Sequence, residues 1–321
     1  MTAARGAAVR LRSVLVADQE AGRAGDDAAG PTDPPDIAPA VRSYPGARRP
    51  DRSWWVDSSG LRIAAYEWGD PEAPVVLAAH GGFDFAGTFD VFGPMLADAG
   101  WRFVSWDARG HGNSQRAVLY SWAGDLRDAA AVLDSCQVDR VAVLGHSKGG
   151  GVVLDMAHAL PHRLTHLINL DGGLAHRERT AGKERRPGTI NDLALRRRRM
   201  NPRLSVEWLE YLVALGAAQD ADGSDNWRWK IDPVLRMGGF GPWRPEWSME
   251  RVPGVGCPFL GILGLEIEDL SWGTRPEDVY PNLPPGAEFH ALEGVGHFVH
   301  IEQPRLVADL VLDFLSRRAD G

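Results

Sequence analysis

Cysteine is scarce in this sequence, whose 321 residues contain only Cys136 and Cys257. Neither thiol has the spacing of a zinc site, so no metal is predicted, and two lone thiols fit a reducing compartment better than a disulfide. Long apolar runs are also missing, because no stretch approaches the roughly 18 residues of a membrane-spanning helix. The apolar run Val14–Ala17 is too short for a signal-peptide core. We therefore expect a cytoplasmic protein that does not bind membranes.

The sequence also lacks an excess of basic residues, since 43 acidic side chains outnumber 35 basic ones and give a formal net charge of −8. Non-specific nucleic-acid binding needs a basic field, so we expect no nucleic-acid partner. Aromatic residues are nearly absent from residues 18–50, which are rich in Gly, Pro, Asp and Ala. Such a composition cannot bury a core, and we predict a disordered or weakly structured leader over residues 1–50.

From residue 51 onward, apolar runs of strand length alternate with segments of helical periodicity. This alternation is typical of a parallel sheet covered by helices on both faces. We predict an α/β fold with a mostly parallel sheet of the eight-stranded type, flanked by helices. The predicted strands are Trp54–Asp57 and Leu61–Trp68 as a hairpin, Val75–Ala79, Phe103–Trp106, Val141–Leu144, Leu167–Leu170, Phe259–Leu263 and Glu288–Leu292.

The alternation is interrupted between the strand that ends near Leu170 and the strand that starts near Phe259. We predict a helical lid over residues 173–255, inserted into a core formed by residues 51–172 and 256–321. Such a lid would cover the carboxyl ends of the strands, where open α/β sheets bind ligands. Its Arg196–Arg199 run is typical of a solvated helix face. Four lid tryptophans could line a pocket or attach the lid to the core: Trp227, Trp229, Trp243 and Trp247.

The strongest motif is Gly145-His146-Ser147-Lys148-Gly149, between a predicted strand and a predicted helix. A serine on such a sharp turn is exposed for nucleophilic attack, and the flanking glycines leave room for the turn. The backbone N–H of Lys148 would face the oxyanion. A second N–H should come from the turn after Ala79, where Gly82 is preferred and Phe83 is the alternative. His80 is expected to fix this loop, and Asp107 and Arg109 are expected to brace the next one.

His297 is the predicted general base, because it lies in a glycine-flanked loop after the last strand. The acid that orients it should follow the strand Phe259–Leu263, where Glu268 is preferred. The alternatives Glu266, Asp269 and Asp171 remain open.

These motifs, in this order, resemble the α/β-hydrolase superfamily over about residues 54–317. The resemblance implies a serine hydrolase with a Ser–acid–His triad and no cofactor. Family members often carry Asp where this chain has Ile267, and an apolar residue or Gln where it has Lys148. Lys148 could favour an anionic substrate or point to solvent.

We therefore expect cleavage of an ester-like bond, in a carboxylester, thioester or lactone, of a small apolar or aromatic substrate. The acyl-enzyme would form on Ser147. The protein should act as a monomer or homodimer. The alternatives are a non-catalytic ligand-binding or sensor protein of the same fold, and an acyltransferase.

Overall fold

The computed structural model describes residues 33–35, 37, 41–172, 186–232, 235, 251–267 and 274–317. The chain divides into two units, Met1–Pro34 and Pro35–Gly321. All helices and strands given below belong to the second unit.

An eight-stranded sheet forms the centre of this unit, in the order β1-β2-β4-β3-β5-β6-β9-β10. The strands β1, β2 and β4 pair antiparallel, and all other neighbours in the sheet are parallel. The predicted mostly parallel sheet is therefore confirmed. Its strands are β1 (Arg52–Ser58), β2 (Leu61–Trp68), β3 (Val75–Ala79), β4 (Arg102–Trp106), β5 (Val141–His146), β6 (Leu164–Leu170), β9 (Phe259–Gly264) and β10 (Glu288–Leu292).

Helices cover both faces of the sheet, so every residue of β3, β4, β5 and β9 is buried. Continuous apolar strands such as Val75–Ala79 are stable only when both faces are covered. The core helices are α1 (Phe92–Asp98), α2 (Trp122–Ser135), α3 (Lys148–Ala159), α6 (Pro276–Val279), α7 (Val299–Glu302) and α8 (Pro304–Ser316). None of the helices in the described residues is both long and apolar enough to cross a bilayer.

The insertion between β6 and β9 contains helices α4 (Ile190–Met200) and α5 (Val206–Gly216). Thr189 caps α4, because its side chain accepts the N–H of Asp192 while the Asp192 carboxylate accepts the N–H of Thr189. The insertion also holds a hairpin that the sequence did not predict, formed by β7 (Ala217–Gln219) and β8 (Trp227–Trp229). Strands of three residues are too short to produce a readable alternation of apolar and polar residues.

Residues 41–50 were predicted to belong to the leader, yet in the structure they pack on the core. The ring of Tyr44 lies 4.8 Å from that of Trp208, edge to face. Arg49 Nη1 lies 2.6 Å from Asp90 Oδ2, and Trp68 Nε1 donates to the Arg48 carbonyl at 2.8 Å. Composition averaged over residues 18–50 hides these few specific contacts.

Candidate active site

Ser147 occupies a strained turn between β5 and α3, and this turn of residues 145–149 is called the elbow below. Its φ of 53° and ψ of −117° lie outside the regions that residues with a side chain prefer. A Cβ added to Gly145 would lie 2.3 Å from the Gly149 carbonyl oxygen, and one added to Gly149 would lie 2.1 Å from the Ala79 carbonyl oxygen. Only glycine fits at either position, so both glycines of the motif are required for steric reasons.

Replacing Gly149 by Ala should lower the free energy of unfolding by about 3 kcal/mol or more, because the new methyl group meets backbone that cannot give way. The matched control is Gly256→Ala, where an added Cβ meets no atom within 4 Å. Chemical denaturation of both variants tests this prediction. Equal stability of the two variants would contradict it.

The predicted base His297 faces a carboxylate, and that carboxylate is Asp171. The distance between His297 Nδ1 and Asp171 Oδ1 is 3.5 Å, and both side chains are 3% exposed. Asp171 directly follows β6 with a φ of 48°, a left-handed conformation that Asp tolerates better than most residues. Its Oδ2 accepts the N–H of Gly264 at 3.3 Å, at the end of the neighbouring strand β9.

Of the other three candidate acids, the structure describes one. Glu268, which was preferred, and Asp269 lie outside the described residues. Glu266 is described and exposed, and its backbone N–H donates to the Val295 carbonyl at 2.9 Å. Among the described candidates, therefore, only Asp171 is brought to His297.

The loop that carries His297 is attached at several points. His146 belongs to the serine motif. Its Nε2 lies 3.0 Å from the carbonyl oxygen of His297 and donates a hydrogen bond to it. The Gly296 N–H donates to both carboxylate oxygens of Glu302, at 3.0 and 3.1 Å. Arg203 of the insertion lies 2.7 Å from Glu302 and also donates to the Gly294 carbonyl. The His297 loop is thus positioned by the serine motif, by α7 and by the insertion.

Gly82 and Lys148, the predicted oxyanion donors, are neighbours in space. A Cβ added to Gly82 would lie 3.6 Å from the Cβ of Lys148. The alternative donor, Phe83, has a φ of 64°, and its N–H donates to His111 Nε2 at 3.3 Å. Because that N–H already has a partner, the geometry favours Gly82 over Phe83.

The Lys148 ammonium forms an ion pair with a buried carboxylate. Its Nζ lies 2.7 Å from Asp125 Oδ2 on α2 and 5.8 Å from the centre of the Trp122 ring. Both side chains are largely buried. Lys148 therefore neither points to solvent nor offers an uncompensated charge to an anionic substrate, which were the two expectations for it.

His80 and His111 join the turn of residues 80–84, which holds the predicted donor Gly82 and is called the oxyanion turn below, to the loop after β4. The Ala108 N–H donates to His80 Nε2 at 2.9 Å, so the proton is on Nδ1, which donates to the Gly81 carbonyl at 2.7 Å. His111 uses the same tautomer between the Phe83 N–H and the Arg109 carbonyl. Burial lowers the pKa of His80, and it lowers the pKa of His111 further. Both rings are bound as neutral imidazoles.

Asp107 and Arg109 brace their loop as predicted. Asp107 accepts the Ala86 N–H at 2.8 Å and the Asn113 N–H at 2.7 Å. Arg109 forms a bidentate pair with Asp128 on α2, with distances of 2.6 and 2.7 Å. Such a fork fixes the loop relative to the helix.

Two of the four lid tryptophans, Trp243 and Trp247, lie outside the described residues. Trp227 and Trp229 are half-buried and pack on an apolar cluster that includes Phe85 and Phe298. Within the part of the chain that the structure describes, no group of three or more His, Cys, Asp or Glu side chains could hold a metal ion.

Several site residues escaped the sequence analysis: Asp84, Asp125 and Arg197 as charged partners, and His146 as a loop anchor. For Arg197 a signal exists in the sequence. It lies seven residues after Ile190, in register with the buried Leu193 and Ala194, so it continues the buried stripe of α4.

The sheet order, the serine at the turn after β5 and the histidine loop after β10 are those of the α/β-hydrolase fold. A family model described as Hydrolase_4, serine aminopeptidase, S33, matches residues 70–209, less than half of the chain. The thioesterase domain of the curacin biosynthetic pathway has a similar structure, with a TM-score of 0.69 and 24% identity, covering 81% of this chain and 99% of that domain.

Two curated relatives are a serine hydrolase-like protein and an esterase. A serine hydrolase-like protein of Dictyostelium discoideum is 34% identical over 117 residues, which are 35% of this chain and a third (33%) of that protein. Esterase YbfF of Escherichia coli is 25% identical over 250 residues, covering 76% of this chain and 93% of that protein.

Proposed function

We propose that the protein is a serine hydrolase that cleaves an ester-like bond through an acyl-enzyme, with Ser147 as nucleophile, His297 as base and Asp171 as acid. The observation that carries the proposal is the buried Asp171 carboxylate, 3.5 Å from His297 Nδ1, beside a serine on a strained turn. The names of an esterase and a thioesterase among the similar proteins support ester cleavage.

In the proposed reaction, His297 takes the proton of Ser147 as the hydroxyl attacks the substrate carbonyl. The Asp171 carboxylate holds the base with its proton on Nδ1 and stabilises the imidazolium. The N–H groups of Gly82 and Lys148 bind the oxyanion, and each such donor contributes about 3–4 kcal/mol to the transition state. His297 then protonates the leaving group, and water repeats the sequence to release the acid.

An apolar substrate fits the surroundings of the oxyanion turn. Phe83 packs in an apolar cluster that joins the turn to the loop before α2 and to the insertion. The other members of this cluster are Ala117, Tyr120, Trp229, Ile231 and Leu235. Because Asp125 compensates the charge of Lys148, the Lys148 ammonium adds no preference for an anionic acyl group.

The proposal is tested with a fluorophosphonate probe and with p-nitrophenyl esters from acetate to decanoate. We expect one labelled residue, identified as Ser147 by peptide mass spectrometry, and no labelling of Ser147→Ala. The ester series should show a chain-length optimum that reports the size of the pocket. Folded wild type that neither labels nor hydrolyses any ester would contradict the proposal and favour a ligand-binding protein.

A further inference from the structure

Arg197, on helix α4 of the insertion, reaches the turn that carries Gly82. Its Nη2 donates to Asp84 Oδ1 at 2.7 Å, and its Nε donates to Asn201 Oδ1 at 2.9 Å. The side chains of Arg197 and Asp84 are each 4% exposed. Of the four consecutive arginines on this helix, Arg197 alone is buried. The run is therefore not a uniform solvated face.

Asp84 closes the oxyanion turn. Its N–H donates to the Gly81 carbonyl at 3.3 Å, across Gly82 and the left-handed Phe83. A Cβ added to Gly81 would lie 3.1 Å from Asp84 Oδ2 and 2.9 Å from His146 Nδ1. The Asp84 carboxylate and the His146 ring thus both lie against Gly81 of this turn.

The same arginine contacts the loop of the base. Its guanidinium carbon lies 5.6 Å from the centre of the Phe298 ring, and Phe298 directly follows His297. Cation–π contacts are strongest when they are shielded from water, as this one is. One side chain of the insertion therefore contacts two segments that carry catalytic groups.

We propose that Arg197 is a positioning residue that holds the oxyanion turn, through Asp84, in the conformation needed for catalysis. The inference rests on the proposed function, because it assigns Arg197 to the same reaction. It makes the insertion a part of the catalytic framework and not only a cover over the substrate.

The physical basis is the cost of separating the pair. Without Arg197 the Asp84 carboxylate would be buried without its cation, and the turn would move to find water or another donor. Gly82 lies in the middle of that turn. Oxyanion donors act only within a narrow range of distance and angle, so a small displacement weakens transition-state binding more than substrate binding.

The test compares Arg197→Met, Asp84→Asn and the double variant with Arg198→Met. Arg198 is the matched control, because it is the next residue on the same helix and its side chain is exposed. The readouts are the rate constant for fluorophosphonate labelling of Ser147, kcat and KM for p-nitrophenyl butyrate, and the melting temperature.

We expect Arg197→Met to lower kcat and the labelling rate at least ~10-fold, with KM within ~3-fold of wild type. Asp84→Asn keeps an oxygen acceptor for the guanidinium and should lose less. The double variant removes both charges, so it should regain most of the melting temperature lost in Arg197→Met while kcat stays low. Arg198→Met should behave like wild type.

Recovery of kcat together with stability in the double variant would show a purely structural ion pair and overturn the inference. Wild-type kcat and labelling in folded Arg197→Met would overturn it as well. The proposed function fails separately, if wild type itself is neither labelled at Ser147 nor active.

Discussion

Asp171→Asn lowers kcat for ester hydrolysis by roughly 10³–10⁴-fold and leaves KM nearly unchanged, if Asp171 is the acid of the triad. The amide has nearly the shape of the carboxylate, but it carries no negative charge to stabilise the imidazolium, and its NH2 group can donate to Nδ1 and hold the imidazole in the wrong tautomer. The loss therefore appears in the transition state and not in substrate binding. Steady-state kinetics with a p-nitrophenyl ester measure both constants.

The matched controls are Glu266→Gln and Glu268→Gln, the same chemical change at two other candidate acids. Both variants should keep kcat within about twofold of wild type. Glu266 in particular is exposed and follows β9, the strand after which the acid was expected. Loss of activity in Glu268→Gln with normal activity in Asp171→Asn would contradict the assignment and favour the acid preferred from the sequence.

Acid pH should destabilise this protein, because burial lowers the pKa of several histidines in the folded state. Burial lowers the pKa of His80, lowers those of His111 and His146 well below the usual value, and lowers that of His300 to about 3. In the unfolded chain each binds a proton near pH 6.5. The unfolded state therefore binds more protons below that pH, and stability falls as pH falls.

The slope of the free energy of unfolding against pH follows from the number of protons that the folded and unfolded states bind. A histidine whose pKa stays well below this range in the folded state costs about 1.4 kcal/mol per pH unit below pH 6.5. Asp90 acts in the opposite direction, because burial raises its pKa to about 6, so the folded state binds a proton there before the unfolded state does. Because the histidines with a lowered pKa outnumber this carboxyl group, stability still falls between pH 6 and pH 5.

Urea denaturation at pH 7.5, 6.5 and 5.5 measures this slope, and His300→Leu tests its origin. His300 packs between Phe89, Phe92 and His146, and neither of its ring nitrogens has a hydrogen-bond partner among the described residues. The variant should have a slope shallower by about 1.4 kcal/mol per pH unit. An unchanged slope, or nearly constant stability of wild type down to pH 5.5, would contradict the assignment.

The fold could be predicted from the sequence because its strands are continuous apolar runs separated by helical patterns. The elbow was readable for a local reason, since Gly145 and Gly149 are required by backbone atoms that nearly touch them. The loop of His297 was readable from its glycines and its place after the last strand. These features depend on short stretches of chain, which a single sequence contains completely.

The acid and the charged partners could not be predicted in the same way. The choice between residues after β6 and residues after β9 depends on which strand end faces His297, and that depends on the packing of separate segments. Asp84 and Arg197 are 113 residues apart in the chain. No local pattern links them, although helical periodicity would have placed Arg197 on the buried side of α4.

The contacts of the insertion limit its replacement by the insertion of a related protein. A chimaera made by joining another relative's insertion at Leu170 and Phe259 would separate Arg197 from Asp84 and Arg203 from Glu302, since each pair has one member on either side of the junction. A transplanted insertion that lacks these cations would leave the carboxylates of Asp84 and Glu302 without their cationic partners. The insertion of this protein is therefore more readily altered by single substitutions than by replacing it as a block.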